Sequence, residues 1–296
     1  MSASLIVLIP LVLLGTVAAL CFVGCALIYN YDDYKEAPGP SPYHTKVSGH
    51  PNLVACWPLD DTSDTPANPS GTLALDIGPN KLNGAYIGPA GTVKIQQPGI
   101  VPADIPSGGT TPSTCAFFNG GFVTVPFAQA LNPAKFTLEA WVQPTWTKDD
   151  PGVQRAVLVS ANSSAGTGYA LLATPDNFWE VNIGLGGKDN FTVLKASDPI
   201  DVTAVNYLAV TYDGSTAWLH VGIKGKGIKA YASPKNTSFA PEDASSATPL
   251  FIGMGRPDMG GMFPFNGFIQ DVAVYNDDIN SVTVEDHFNT GTGLSP

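Results

Sequence analysis

The stretch Tyr207-Leu208-Ala209-Val210-Thr211-Tyr212, Asp213-Gly214-Ser215-Thr216, Ala217-Trp218-Leu219-His220-Val221 decides the fold. Two runs rich in β-branched and aromatic side chains flank a polar turn, and Asp-Gly supplies the positive backbone angle that a tight turn needs. The segment is predicted to be an antiparallel hairpin. Working outward, Phe136-Thr137-Leu138-Glu139-Ala140-Trp141-Val142 alternates faces as a half-buried strand does. Short strands are also predicted over 53–59, ended by Asp60-Asp61, and over 115–125, as two strands around Asn119-Gly120-Gly121. Others fall at 156–160, 169–173, 178–183, 251–253 and 268–275, while 88–112 reads as a long Gly- and Pro-rich insertion. Strands spaced this regularly, with little helix, predict an all-β domain of two packed antiparallel sheets.

Composition agrees. Only 13% of the 296 residues are charged, the formal net charge is -11, and there are 31 Gly and 26 Pro. An acidic chain without a basic patch repels phosphate, which argues against a nucleic-acid partner. Residues 52–296 are enough to bury a full core as one sandwich.

The N-terminal segment has a different pattern. Leu5 to Ile28 is an unbroken uncharged apolar run. About two dozen residues rising 1.5 Å each cover the roughly 30 Å hydrocarbon core of a bilayer, so 1–29 is predicted to be one transmembrane helix serving as a signal-anchor. A cleaved export signal, or a lipoprotein signal at Phe22-Val23-Gly24-Cys25, is the alternative; no Lys or Arg precedes the run, as such signals usually require. The turn-rich, Lys- and Arg-poor remainder places the large domain outside the cell membrane and the N-terminus in the cytoplasm. Gly15 and Ala19 are four apart, a spacing that permits close packing on a partner helix and is also common in membrane helices generally. Residues 30–51 are polar and proline-punctuated and read as an extended linker. Beyond the apolar run the cysteines are Cys56 and Cys115. In an oxidising compartment a disulfide between them is expected; two separate buried thiols are the alternative.

Six phrases together resemble the laminin-G-like, concanavalin A-like jelly-roll family: LVACWPLDD (53–61), LDIGPNKLNGAYIG (75–88), CAFFNGGFVTVP (115–126), FTLEAWVQPT (136–145), NYLAVTYDGSTAWLHVG (206–222) and LFIGMGRPDMGGMFPFNGFIQDVAVYND (250–277). The resemblance implies a concanavalin A-like sandwich, and a structural Ca2+ held near the end of the first strand and the last strand. By that resemblance its ligands here would be Asp60, Asp76, Asn119 and Asp271. Asn119 stands where an Asp is usual and Gln270 where a second acid is usual, which would weaken such a site. The alternative is that these residues complete turns and strand ends.

The glucanase branch of the family carries its acids as E-x-D-x-E on one strand face. This chain has no such triplet: Glu139 and Glu180 each stand alone in their strands, and His44, His50, His220 and His287 are dispersed. The expectation is therefore a non-catalytic binding or interaction protein that recognises a glycan or a protein. Trp146, Phe178 and Trp179 are candidates to stack on sugar rings, with packing in the core as the alternative for each, and the Met254 to Phe265 loop reads as a rim or a plain connector; Trp57 and Trp141 read as core. The other reading is an accessory single-pass subunit of a larger membrane complex, joined through its helix.

Overall fold

The computed structural model describes residues 41–104, 113–147, 152–234, 236–245, 248–255 and 262–294. The expected membrane helix, with Gly15 and Ala19, lies outside the described residues; among those described, no helix is long and apolar enough to cross a membrane.

In chain order the elements are α1 (Pro42–Ser48), β1 (Leu53–Trp57), β2 (Leu73–Ala74), β3 (Gly84–Ile87), β4 (Val93–Pro98), a 3-10 turn (Pro102–Asp104), β5 (Thr114–Asn119), β6 (Phe122–Val125), a second 3-10 turn (Gln129–Leu131) and β7 (Phe136–Pro144). They continue with β8 (Arg155–Asn162), β9 (Thr167–Ala173), β10 (Phe178–Gly184), β11 (Phe191–Pro199), β12 (Asn206–Tyr212), β13 (Ala217–Ile223), β14 (Gly227–Ala232), β15 (Leu250–Ile252), β16 (Asn266–Tyr275) and α2 (Ser281–Thr292). One sheet runs β14-β13-β12-β7-β16-β5-β4, with β1 also pairing β16; the other runs β11-β10-β9-β8-β15-β6-β3-β2. Every pairing in both is antiparallel, as expected for a sandwich.

The hairpin forms as its sequence dictates. Asp213 accepts at Oδ1 from the backbone N–H of Ser215 and Thr216, both at 2.7 Å, and Gly214 adopts φ +97°. Cross-strand register runs from Asn206 opposite Ile223 to Tyr212 opposite Ala217.

Alternation along β7 sets the layers. Phe136, Leu138, Ala140 and Val142 enter the core between the sheets, beside Trp57, Trp179 and Ile269. Trp141 points the other way, into a second apolar layer with Tyr43, Val47, Tyr207, Tyr275, Val284 and Phe288. The first sheet is thus covered on its outer face by the two helices. Each fully buried large side chain contributes about 1.5–3 kcal/mol, which is what holds so short a helix as α1 in place. Ser41 caps α1, its Oγ accepting from the Tyr43 and His44 N–H groups, and Asn280 caps α2 by accepting from Thr283 N–H. Gly293 ends α2 in the left-handed region at φ +70°.

Three expectations change. Residues 41–51 of the expected linker belong to the folded domain, because Tyr43 and Val47 are completely buried against the sheet. The expected insertion at 88–112 contributes β4, which pairs with β5, and the turn Pro102–Asp104. Finally, Cys56 and Cys115 are both free and buried, so the expected disulfide is not formed. The two lie on different strands that meet β16 in succession, and the Cys115 thiol instead donates to the Pro98 carbonyl at 3.0 Å.

Candidate functional site

A cleft of about 320 Å³ opens where the β10–β11 edge of one sheet meets the β13–β14 edge of the other. Trp179, 1% exposed, belongs to its lining, and its indole N–H donates to Asn206 Oδ1 at 3.2 Å. Asn206 is itself fixed by donating to the carbonyls of Asp201 and Ala204. The Asn206 amide is thereby held against the Trp179 indole.

The rim carries the polar chemistry. Lys229 and Tyr231 are two apart on β14 and so share a face; Lys229 Nζ lies 2.7 Å and Tyr231 Oη 2.8 Å from the same oxygen, Oδ2 of Asp198. Lys226 Nζ lies 2.6 Å from Asp201 Oδ2, and Asp201 Oδ1 accepts from Thr203. These donors hold the Asp201 carboxyl down to about 2, and Lys229 with Tyr231 hold Asp198 below its usual range. Burial, reinforced by Asp198, pushes the Tyr231 phenol up to about 12. At neutral pH the cleft therefore offers two carboxylates, two ammonium groups and one phenol. Such groups donate and accept hydrogen bonds in fixed directions. A glycosidase acid needs a carboxyl whose proton is retained near neutrality, and both acids here are shifted the opposite way.

Burial raises the Glu180 carboxyl. It lies on the outward face of β10 between Phe178 and Asn182, opposite Lys195 on β11, so a second acid is missing at both same-face positions. His220 is 5% exposed, and burial pulls its imidazole down to about 4, which leaves it neutral.

The aromatic residues expected to meet sugar are redistributed. Trp146 is 7% exposed, donates from its indole to Asn177 Oδ1 at 3.0 Å, lies under the Arg155 guanidinium and packs edge-on against Phe265. It is core, and Trp179 is a buried wall rather than a stacking platform. Phe178 is half-buried, with Lys195 Nζ 4.6 Å from its ring centroid. Asp198, Lys229 and Tyr231 were not foreseen as site residues, because β11 and β14 were not predicted as strands. The turn Gly225-Lys226-Gly227, with positive φ at both glycines, was the available signal for a further hairpin after β13.

The four residues that the resemblance implied for Ca2+ do not gather at one point. Asp76 directs its oxygens at backbone N–H groups, those of Cys56 and Gly78 on Oδ1 and of Leu82 on Oδ2, at 2.7–2.8 Å. Asn119 accepts from Asn266 Nδ2 at 2.9 Å, and Asp60 is exposed at the end of the first strand. Asp271 is fully buried and meets His44 instead. With both Asp76 oxygens already accepting from the main chain and Asp271 meeting His44, this set does not fit a shared calcium ion.

The sequence model of the concanavalin A-like lectin/glucanases superfamily matches residues 118–285, more than half of the chain. No curated protein matches the sequence. Among solved structures, the chain is similar to the binding domain of botulinum neurotoxin serotype C1, with 14% identity and TM-score 0.50 over 81% of this chain and 52% of that one. It is likewise similar to botulinum neurotoxin type C in a structure concerning cell entry dependent on two ganglioside molecules, with 12% identity and TM-score 0.50 over 81% and 51%. A Trypanosoma rangeli sialidase mutant displaying trans-sialidase activity matches with 16% identity and TM-score 0.50 over 83% of this chain and 34% of that one. The chain thus spans about half the length of the neurotoxin structures and about a third of the sialidase. At these identities the likeness is one of fold.

Proposed function

Because the chain belongs to the concanavalin A-like lectin/glucanases superfamily, we propose that it is a non-catalytic glycan-binding protein, displayed outside the cell membrane by its N-terminal apolar segment. The observation that carries this reading is the convergence of Lys229 and Tyr231 on Asp198 at the mouth of a cleft with Trp179 in its lining. A sugar presents alternating hydroxyls and apolar C–H faces. The cleft answers the hydroxyls with carboxylates and ammonium groups already held in place, and the C–H faces with Tyr231, Val221 and Ile223. The interaction of neurotoxin type C with gangliosides is a property of that toxin, and it adds motive for testing acidic as well as neutral glycans.

The test is a glycan array probed with the full-length protein and with Tyr231→Ala. The reading expects one related set of glycans to be retained by the former and lost by the latter, with no sugar released on prolonged incubation. An array without signal, signal indifferent to Tyr231→Ala, or accumulating free sugar would each overturn it.

A further inference from the structure

A separate cluster lies beneath α1, away from the cleft. His44 on α1, Asp104 at the end of the 3-10 turn and Asp271 on β16 bring ligand atoms within 4.8 Å of one another. Three distant parts of the chain supply them, so the grouping is a product of the tertiary fold. The β-bulge between Gln270 and Ala273 creates the third position. Asp271 sits in it with φ +54°, its N–H held by the Pro58 carbonyl, and both Gln270 and Asp271 are fully buried. A bulge of this kind re-aims a side chain that strand alternation would send elsewhere.

The hydrogen bonds in the cluster are incomplete. Asp271 Oδ1 meets His44 Nε2, and Asp104 Oδ1 accepts from Ser41 Oγ. The second oxygens, Asp271 Oδ2 and Asp104 Oδ2, are both buried and have no hydrogen-bond partner. Burying a carboxylate oxygen without a protein partner is costly, and here it happens twice in one cluster. A single His proton serves only one of these four oxygens. The field is negative throughout, since Asp60 also acts on both His44 and Asp271. A cation among the three residues would satisfy both orphaned oxygens at once.

We infer that His44, Asp104 and Asp271 form a binding site for a divalent cation of the zinc class, with Ser41 orienting Asp104 from behind. One imidazole and two carboxylates suit a borderline metal that takes three protein ligands and leaves a fourth position open. Ca2+ and Mg2+ prefer oxygen-only shells with more ligands, so they are the wrong ions for this donor set. Metal binding replaces the His44–Asp271 hydrogen bond: the proton on Nε2 leaves to solvent, and Nε2 and the Asp271 oxygen each bond the ion. The bound ion would tie α1 and the 3-10 turn to β16.

The probe is Zn2+ itself, titrated calorimetrically into tag-free, chelator-stripped full-length protein in detergent, with metal content measured after gel filtration. One Zn2+ per chain is expected, with no comparable uptake of Ca2+ or Mg2+. Ser41→Ala should weaken Zn2+ about 10–100-fold, as losing an outer-shell partner does, and His44→Gln or Asp104→Asn should weaken it by more. Circular dichroism checks that each variant is folded. Co2+ loaded into the unaltered protein provides a readout that needs no variant, an intense visible spectrum typical of low coordination. Absence of stoichiometric Zn2+, preference for Ca2+, or affinity unchanged in folded His44→Gln or Asp104→Asn would overturn the assignment.

Discussion

His287 Nδ1 lies 2.9 Å from Glu139 Oε1, joining two residues 148 positions apart in a pair closed off from solvent. Glu139 also accepts from Tyr207 at 2.8 Å, Tyr275 at 3.1 Å and Tyr43 at 3.2 Å. One carboxylate from the middle of β7 therefore gathers both helices and two neighbouring strands. Burial alone would raise the Glu139 carboxyl, but His287 and the tyrosines outweigh it and leave it below its ordinary value. Burial likewise opposes the imidazolium, and Glu139 reverses this so that His287 is raised.

The pair should show in stability against pH. The raised His287 contributes fully below its ordinary 6.5 and less as pH climbs through its folded value. The lowered Glu139 contributes fully above its ordinary 4.5 and less as pH falls through its folded value. Their joint contribution is therefore greatest between about 4.5 and 6.5. Glu139→Ala should cost about 3–5 kcal/mol there by stranding the buried imidazolium, and the deficit should shrink at either extreme. Chemical denaturation across pH reads this; a constant deficit would contradict the assignment of charge.

Docking of α2 depends on a missing side chain. A Cβ at Gly291 would come 2.2 Å from Trp141 Cζ2, on a ring stacked beside Phe288. Gly291→Ala gains about 1 kcal/mol of helix propensity, yet it must displace a packed indole, and overpacking of this kind costs about 1–3 kcal/mol. A lowered melting temperature is expected, and a raised one would show that the helix yields freely.

Core and cleft aromatics should separate cleanly by substitution. Trp146→Ala empties a packed site and should cost about 3–5 kcal/mol. Tyr231→Ala gives up one partly exposed hydrogen bond, worth about 1 kcal/mol, and should abolish glycan retention. Thermal melts beside binding assays distinguish the two. Loss of binding only in proportion to loss of stability would remove Tyr231 from the site.

Cys56 and Cys115 should be unreactive in the folded protein. Burial raises the Cys56 thiol well above its ordinary range and pushes Cys115 up to about 12, which leaves little thiolate at neutral pH. Alkylation followed by peptide mapping should label both only after denaturation, and reductant should leave melting unchanged. Protection of either thiol after denaturation without reductant would point to a disulfide.

Much of the sandwich was legible because its signals are local. The alternation in 136–142 and the Asp213-Gly214 turn each act within a few residues, and both emerge as β7 and the β12–β13 hairpin. The helix α1 was not legible. Its seven residues, PYHTKVS, carry no strong propensity, and they are held by Tyr43 reaching Glu139, 96 positions away. The helix α2 did leave a signal in Asn280 and Gly293, a start and stop that bracket it. Glu139 looked solitary because its partners come from four other elements. Trp146 and Trp179 were misplaced for the related reason that burial depends on the opposing sheet. Asp271 owes its orientation to a bulge, and no strand periodicity reveals one.

The most direct test of glycan binding in the edge cleft is a backbone and indole NMR titration of the isotope-labelled full-length protein with the best ligand from the array. The account predicts saturable shifts at the Trp179 indole N–H and along Lys226 to Tyr231, with Phe178, Glu180 and Asn182 on the outer face of β10 unmoved. Shifts confined to that outer face, or none at ligand saturation, would contradict it.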